Sequence, residues 1–431
     1  MNRFPKYDKY KDSGVEWLGE IPEHWEVLSN KYLFKLKKNQ VGKNSNKYTL
    51  LSLTLNGIIK RDMVNPQGKF PAEFNTYQDV KKGDFIFCLF DVEETPRTLG
   101  LSEFDGMITG AYTVLQSFHG FDKKFLYYFY LNLDTDKRMK PIYTGLRNTI
   151  SKDNFFSFKS FIPPKLEQTA ISNFLDRKTS IIDHAICIKE KQIELLKERR
   201  QILIHKAVTR GLDPNVKMKD SGVEWIGEIP EHWEVKRLAA FGKFSKGGGF
   251  SKNDLKENGE PAIIYGDIYT QYDICIKNAV RFISEDTASK SVIIKKNYLL
   301  FTGSGETKED IGKCVVYLNE NIAYAGGDVI LFKQSINDSI YLSYVLNTNG
   351  IKFENARSSK GEIIVHIYSS SLKNNYIPIP PIDEQETIVN YIELLSNKIR
   401  TTISFKENEI ERLKEYKTTL IDSAVTGKIK L

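Results

Sequence analysis

The chain has 431 residues, enough for about two to four domains, and 41% are hydrophobic, which excludes wholesale disorder. Lys plus Arg number 62 against 55 Asp plus Glu; the net charge of +7 permits a nucleic-acid partner without demanding one. The four cysteines (Cys88, Cys187, Cys275, Cys314) are scattered with no C-x-x-C, which argues against a structural zinc site or a disulfide framework. No apolar run nears the roughly 20 residues that span a bilayer, and the start MNRFPKYDKYKDSG has no apolar leader core. A cytoplasmic protein without a membrane partner is expected.

Residues 1–27 carry the first copy of a repeated motif. KDSGVEWLGEIPEHWEV at 11–27 returns as KDSGVEWIGEIPEHWEV at 219–235, with only Leu18 changed to Ile226. All four tryptophans lie in the copies: Trp17, Trp25, Trp225 and Trp233. So long a self-match implies two similar halves joined head to tail. The motif carries no evident reaction. Two readings are open: an aromatic-pinned loop that docks on a helix end or another subunit, or a packing element of its own domain. His24 and His232, each beside a Trp, are expected to bond or pack locally.

Residues 28–161 are rich in β-branched and aromatic residues with turn signals between, as in YTLLSLTL before Asn56-Gly57, and predict short strands in a mixed α/β domain. From Leu28 to Arg61 there is no Asp or Glu, but Lys37, Lys38, Lys43 and Lys47 stand among Asn and Gln. Lysines meet phosphates and amides read base edges, so this is a candidate DNA-facing stretch; a solvated basic loop is the other reading. Arg147 and Asn148, near the end of the segment, are candidates for bidentate base or phosphate contacts, or else for surface ion pairs.

Residues 162–211 open on Ile162-Pro163-Pro164 and Glu167-Gln168 and close on Arg210-Gly211. Apolar residues recur there in steps of three and four, with Ile171, Leu175, Ile182, Ile193, Leu196 and Leu203 forming the seam of a long helix, about 65 Å from Leu166 to Val208. Residues 212–235 hold the second motif. Residues 236–378 predict a second mixed α/β domain, only faintly similar to the first, with DNA candidates Lys246 and Lys252 in a glycine-rich basic stretch and Arg357 and Lys360 in a later cluster. Residues 379–431 repeat the helix at an offset of 217, from Ile379-Pro380-Pro381 and Glu384-Gln385, with seam residues Ile388, Ile392, Ile399, Ile410, Leu413 and Leu420. A helix of this length needs its seam buried, and its twin in the same chain is favoured over a second molecule. The expected architecture is α+β: two mixed α/β domains separated by two long antiparallel coiled-coil helices, with pseudo-two-fold symmetry from internal duplication.

No catalytic set emerges. The run Gly303-Ser304-Gly305 with Gly312-Lys313-Cys314 fails as a phosphate loop, because Cys314 stands where Ser or Thr would hold magnesium. No histidine sits in a metal-ligand pattern.

The duplicated Trp/Pro motif, the two I-P-P-x-x-E-Q openings and the A-V-T ends at 207–209 and 424–426 resemble the specificity subunits of Type I restriction–modification enzymes, over the whole chain and in the family's order. The resemblance implies a non-catalytic subunit with two target recognition domains, each reading half of a bipartite DNA sequence, and paired helices as the spacer. It implies docking of two methyltransferase subunits, joined by restriction subunits, with S-adenosylmethionine, ATP and Mg in those partners and no cofactor here. It transfers no individual DNA contact.

Overall fold

The computed structural model describes residues 4–62 and 73–431, so the stretches 1–3 and 63–72 of the expected segments 1–27 and 28–161 lie outside the described residues. The chain is α+β and divides into two units, Met1–Lys189 with Glu407–Leu431, and Glu190–Lys406. Both boundaries fall inside the long helices Lys165–Arg210 and Ile382–Val425. Each unit therefore owns the start of one long helix and the end of the other.

In the first unit the motif folds as a hairpin of Tyr10–Asp12 and Glu20–Pro22, with Lys11 opposite Ile21. Its next strand, Glu26–Ser29, pairs with Lys159–Ile162, Val27 facing Phe161, so the inserted segment leaves and returns at one place. The insert is built on an antiparallel sheet in the order Phe34–Leu36, Thr113–Ser117, Phe85–Phe87, Leu99–Leu101. Beside it, Leu51–Thr54 and Gly57–Lys60 form the hairpin that the Asn56-Gly57 pair signals. Helix Lys123–Thr135 shares one core with the sheet through Phe125, Phe129 and Tyr130 against Phe34, Phe85 and Phe87. Leu420, Ile421, Ala424 and Val425, from the far end of the chain, complete that core.

The second unit repeats the frame. Its motif hairpin pairs Met218–Asp220 with Glu228–Pro230, and Glu234–Arg237 pairs with Tyr376–Ile379. The insert differs. Its main sheet runs Lys243–Lys246, Val329–Lys333, Leu299–Thr302, Cys314–Tyr317, Cys275–Ile276, the last pair parallel. A further sheet runs Arg281–Ile283, Glu260–Ile263, Ala323–Ala325, Val292–Ile294. Ile204, Ala207 and Val208 from the first long helix join Ile388 and Ile392 from the second in this unit's core.

One arrangement organises both units. Trp25 is fully buried, and its indole N–H donates to Glu167 Oε1 at 3.0 Å, while His24 Nε2 lies 2.8 Å from Glu167 Oε2. In the second unit Trp233 Nε1 donates to Glu384 Oε2 at 3.0 Å, with His232 Nε2 at 2.8 Å from the same oxygen. Tyr7 adds its hydroxyl to Glu167, and burial together with that carboxylate pushes its phenol well above the usual range. The next residue ties the helix to the insert. Gln168 accepts from the Asp122 amide (2.7 Å) and donates to Pro163 O (2.8 Å). Gln385 likewise accepts from the Asp338 amide (2.9 Å) and donates to Pro380 O (2.9 Å). Asp122 and Asp338 in turn cap the helices Lys123–Thr135 and Ser339–Leu346. The long helices end on left-handed glycines, Gly211 (φ 70°) and Gly427 (φ 74°), seated against the motifs: an added Cβ would lie 3.3 Å from the Trp233 ring and 2.4 Å from Pro22.

Within each unit the two helix segments run antiparallel. In the first, Lys417 Nζ meets Asp183 at 2.7 Å and Lys189 Nζ meets Glu409 at 2.7 Å. In the second, Lys406 Nζ donates to Gln192 at 2.7 Å and Arg200 Nε to Ser396 Oγ at 3.1 Å. Ile171, Leu175, Ile182, Ile193, Ile388, Ile392, Ile399, Ile410 and Leu420 are buried, whereas Leu196, Leu203 and Leu413 are half-buried. Ile204 and Ile421, outside the expected seam, are buried too.

The two units differ in charge at one half-buried helix position. Asp422 of the first unit bonds Arg138 (2.7 Å) and Lys428 (2.6 Å). Burial opposes its charge, but these partners prevail and hold its carboxyl below the ordinary range. The matching residue of the second unit, 217 positions earlier, is His205, whose imidazole is lowered by burial and then by Arg210. A base lowered in the folded state takes up protons on unfolding, so its contribution is complete above the unfolded value of about 6.5 and is lost as pH falls below it. Asp422 keeps its contribution until pH drops below about 3.9. Acidification from about pH 7.5 to 5.5 is therefore expected to weaken the second unit through His205, with no contribution from Asp422, and His205→Gln should remove that part of the loss. Hydrogen exchange resolved by segment across this pH range is the check; identical pH responses in wild type and variant would refute it.

Candidate nucleic-acid interface

The acid-free stretch of the first unit is not uniformly available. Lys37, a predicted DNA contact, is buried at 9% exposure, and its ammonium sits 2.9 Å from Asp79 and 2.8 Å from Asp84. Burial alone would lower its pKa, but the hydrogen bonds from the two carboxylates raise it. The Lys37 expectation is corrected: the acids missing from its own segment arrive from the strand Gln78–Val80 and the turn after it, and its charge is spent inside the fold. Lys38, Lys43 and Lys47 are exposed, the last two on the 3-10 turn Gly42–Lys47.

Arg147 and Asn148 occupy a tight hairpin. Thr144 and Thr149 exchange backbone hydrogen bonds (2.8 and 3.0 Å), Gly145 and Asn148 have positive φ (70° and 43°), and Asn148 donates to Glu94 at 2.9 Å. Arg147 forks onto Asp91, with Nε to Oδ1 at 2.8 Å, and its guanidinium lies 5.7 Å from the Phe90 ring. That hydrogen bond raises the Arg147 pKa and lowers that of Asp91. An exposed pair of this kind is worth little, so exchanging Asp91 for a phosphate or a guanine edge costs little.

In the second unit Lys246 is exposed, 3.8 Å from Asp328. Lys252 is exposed at a 3-10 turn whose capping box joins Ser251 and Asp254. Arg357 is exposed in the last turn of the helix Asn349–Ser358. Lys360, also exposed, closes a second hairpin by exchanging backbone bonds with His366 (2.9 and 2.7 Å). The Gly303–Gly305 run is consumed in this neighbourhood: Ser304–Gly305 pairs with Val365–His366, and Ser304 Oγ lies 2.9 Å from His366 Nδ1. Cys314 is fully buried, and burial pushes its thiol up. A cavity of about 280 Å³ is lined by Lys246, Ser304, Asp328, His366 and Tyr368 among others, so the basic stretch 243–252 meets the strand that ends on His366.

Comparison with known proteins fits this geometry. Residues 230–412 match the sequence model described as "Type I restriction modification DNA specificity domain". The MjaVIII specificity subunit of Methanocaldococcus jannaschii is 26% identical over 67% of this chain, and the match spans 66% of that relative's length. The putative MjaX specificity subunit of the same organism is 23% identical over all of this chain and 98% of its own. Two solved structures share the fold. A chain from a type I R-M system studied for complex assembly and conformational transition has TM-score 0.68 at 13% identity, over 94% of this chain and 98% of its own. The HsdS subunit from Thermoanaerobacter tengcongensis has TM-score 0.53 at 14% identity, over 96% and 99%. The chain shares the fold of these two structures, and its residues 230–412 match a DNA specificity domain of the restriction–modification class. More particularly, the chain is similar over its whole length to a putative Type I specificity subunit and to the HsdS fold.

Lys37→Ala is expected to destabilise the first unit by about 3–5 kcal/mol, because it strands Asp79 and Asp84 without their cation. Lys38→Ala and Lys43→Ala should leave stability within about 0.5 kcal/mol. Denaturant unfolding of the three variants separates the roles, and an unchanged midpoint for Lys37→Ala would contradict the structural assignment.

Proposed function

We propose that the chain is the non-catalytic reading subunit of a Type I restriction–modification complex, with each unit recognising one half of a bipartite, asymmetric duplex target. The carrying observation is a frame used twice, Glu167 with Trp25 and Glu384 with Trp233, that holds two differently built inserts. A shared frame suits two copies of one task, and unlike inserts suit unlike half-sites. Exposed cations supply sequence-independent attraction to phosphate, and base-edge contacts supply discrimination.

The long helices act as an antiparallel coiled-coil spacer in a pseudo-two-fold chain, so the gap between half-sites follows helix length. They also dock two methyltransferase subunits, with restriction subunits joining. Ile181 and Ile188 in the first unit, and Leu195 and Ile202 in the second, recur every seven residues and are exposed, which supports a helical partner seated on each segment. S-adenosylmethionine, ATP and Mg belong to those partners, in the cytoplasm.

Expression with its methyltransferase subunit, followed by mapping of methylated adenines, should yield a two-part asymmetric motif. Exchanging residues 28–161 for another recognition domain should change one half only, and adding a four-residue turn to each helix should widen the gap and leave both halves intact. An exchange that alters both halves, or a gap indifferent to helix length, would defeat the proposal. Separately, Leu195→Asp with Ile202→Asp should abolish co-purification with the methyltransferase subunit while the thermal midpoint stays unchanged. Persistent co-purification would remove the helices as the docking surface.

A further inference from the structure

Both inserts end in the same small device. In the first unit the hairpin closed by Thr144 and Thr149 presents Leu146 at 103% relative exposure. In the second, the hairpin closed by Lys360 and His366 presents Ile363 at 90%. The two residues are 217 positions apart, the offset of the long helices. Each hairpin starts on a left-handed glycine, Gly145 (φ 70°) or Gly361 (φ 105°). Each is anchored at the same point behind its tip: the amide of buried Ile150 donates to Leu89 O (2.8 Å), and that of buried Ile367 donates to Gly303 O (3.0 Å). The inserts have diverged almost beyond alignment, yet both hold a large aliphatic side chain out into water on a hydrogen-bonded hairpin.

A single exposed aliphatic residue ordinarily means nothing. Recurrence at matched tips, with the backbone fixed so that neither can fold back, calls for an occupant. We infer that Leu146 and Ile363 are apolar base-contacting residues, each pressed against bases of its own half-site; this rests on the DNA-reading function proposed above. Their surroundings favour nucleic acid over a protein partner. Arg147 and Asn148 follow Leu146, while Arg357 and Lys360 precede Ile363, whose hairpin reaches through His366 the cavity that Lys246 lines. A protein interface draws its energy from a contiguous apolar centre. A base step or a thymine methyl group accepts one aliphatic side chain among cations and amides. Within the described residues of the two hairpins, 144–149 and 360–366, Ile364 is the one further large apolar residue that is exposed.

The test uses the full chain in complex with its methyltransferase subunit, on duplexes carrying the mapped motif and on scrambled duplexes. Leu146→Ala and Ile363→Ala should each weaken binding to the motif duplex by about tenfold. Binding to scrambled duplex and assembly with the methyltransferase should not change. Each variant should relax sequence preference in one half-site only, the two variants in different halves, and Leu146→Met should retain most of the affinity. Wild-type affinity in both alanine variants would overturn the inference, as would loss of the methyltransferase subunit on gel filtration, which would make the tips protein contacts. A wild-type complex without sequence-dependent affinity would overturn the recognition proposal as well, so the two failures are distinguishable.

Discussion

The bond from a buried tryptophan to a half-buried glutamate is the constraint from which each unit is assembled. An indole N–H removed from water must find an acceptor, because an orphaned buried donor costs about 1–3 kcal/mol. Here the acceptor is a carboxylate in the first turn of a long helix, Glu167 for Trp25 and Glu384 for Trp233. The carboxylate is also well placed for the positive end of the helix dipole. One bond thus fixes where the motif sits and where the helix starts. Gln168 and Gln385 extend the grip to the cap of an insert helix, and the terminal glycine of the other long helix is fitted against the same motif.

Each unit is consequently built from segments far apart in the chain. The first unit's core needs residues 420–425, and the second unit's core needs residues 204–208. Neither helix end has a sufficient apolar environment of its own, and neither recognition insert closes its core without one. Loop-closure entropy grows only slowly with the length of the intervening chain, so bringing Leu420 back to Ile171 is affordable once the tryptophan site and the helix pairing reward it together. The cost falls on kinetics: cores that wait for distant segments fold late relative to their local helices.

What the sequence made legible follows the same division. The frame was readable because its interactions are local in pattern: a seventeen-residue repeat, Pro-Pro before Glu-Gln, seven-residue periodicity and closing glycines. The inserts were readable only as mixed α/β, because their strands are two to five residues long and pair across large separations, as Lys243–Lys246 does with Val329–Lys333. Lys37 illustrates the limit among candidate contacts. Charge counted along the chain made it a free cation, whereas Asp79 and Asp84 reach it across the first unit's insert. Asp122 and Asp338 escaped notice for the opposite reason, since an aspartate before a helix is common and its tie to Gln168 or Gln385 is visible only in three dimensions.

The separation of frame from insert has a physical consequence for specificity. The insert joins the frame through one two-stranded pairing, Glu26–Ser29 with Lys159–Ile162 or Glu234–Arg237 with Tyr376–Ile379, through the glutamine–aspartate link, and through apolar packing beneath its capped helix. Strand pairing and helix capping are made by backbone groups and a single short side chain, so they place few demands on the rest of the insert. Its sheet can gain strands, as the second unit's did relative to the first, without moving the tryptophan site. The half-buried carboxylate that anchors each helix answers to the motif and the helix at once, so its replacement disturbs both.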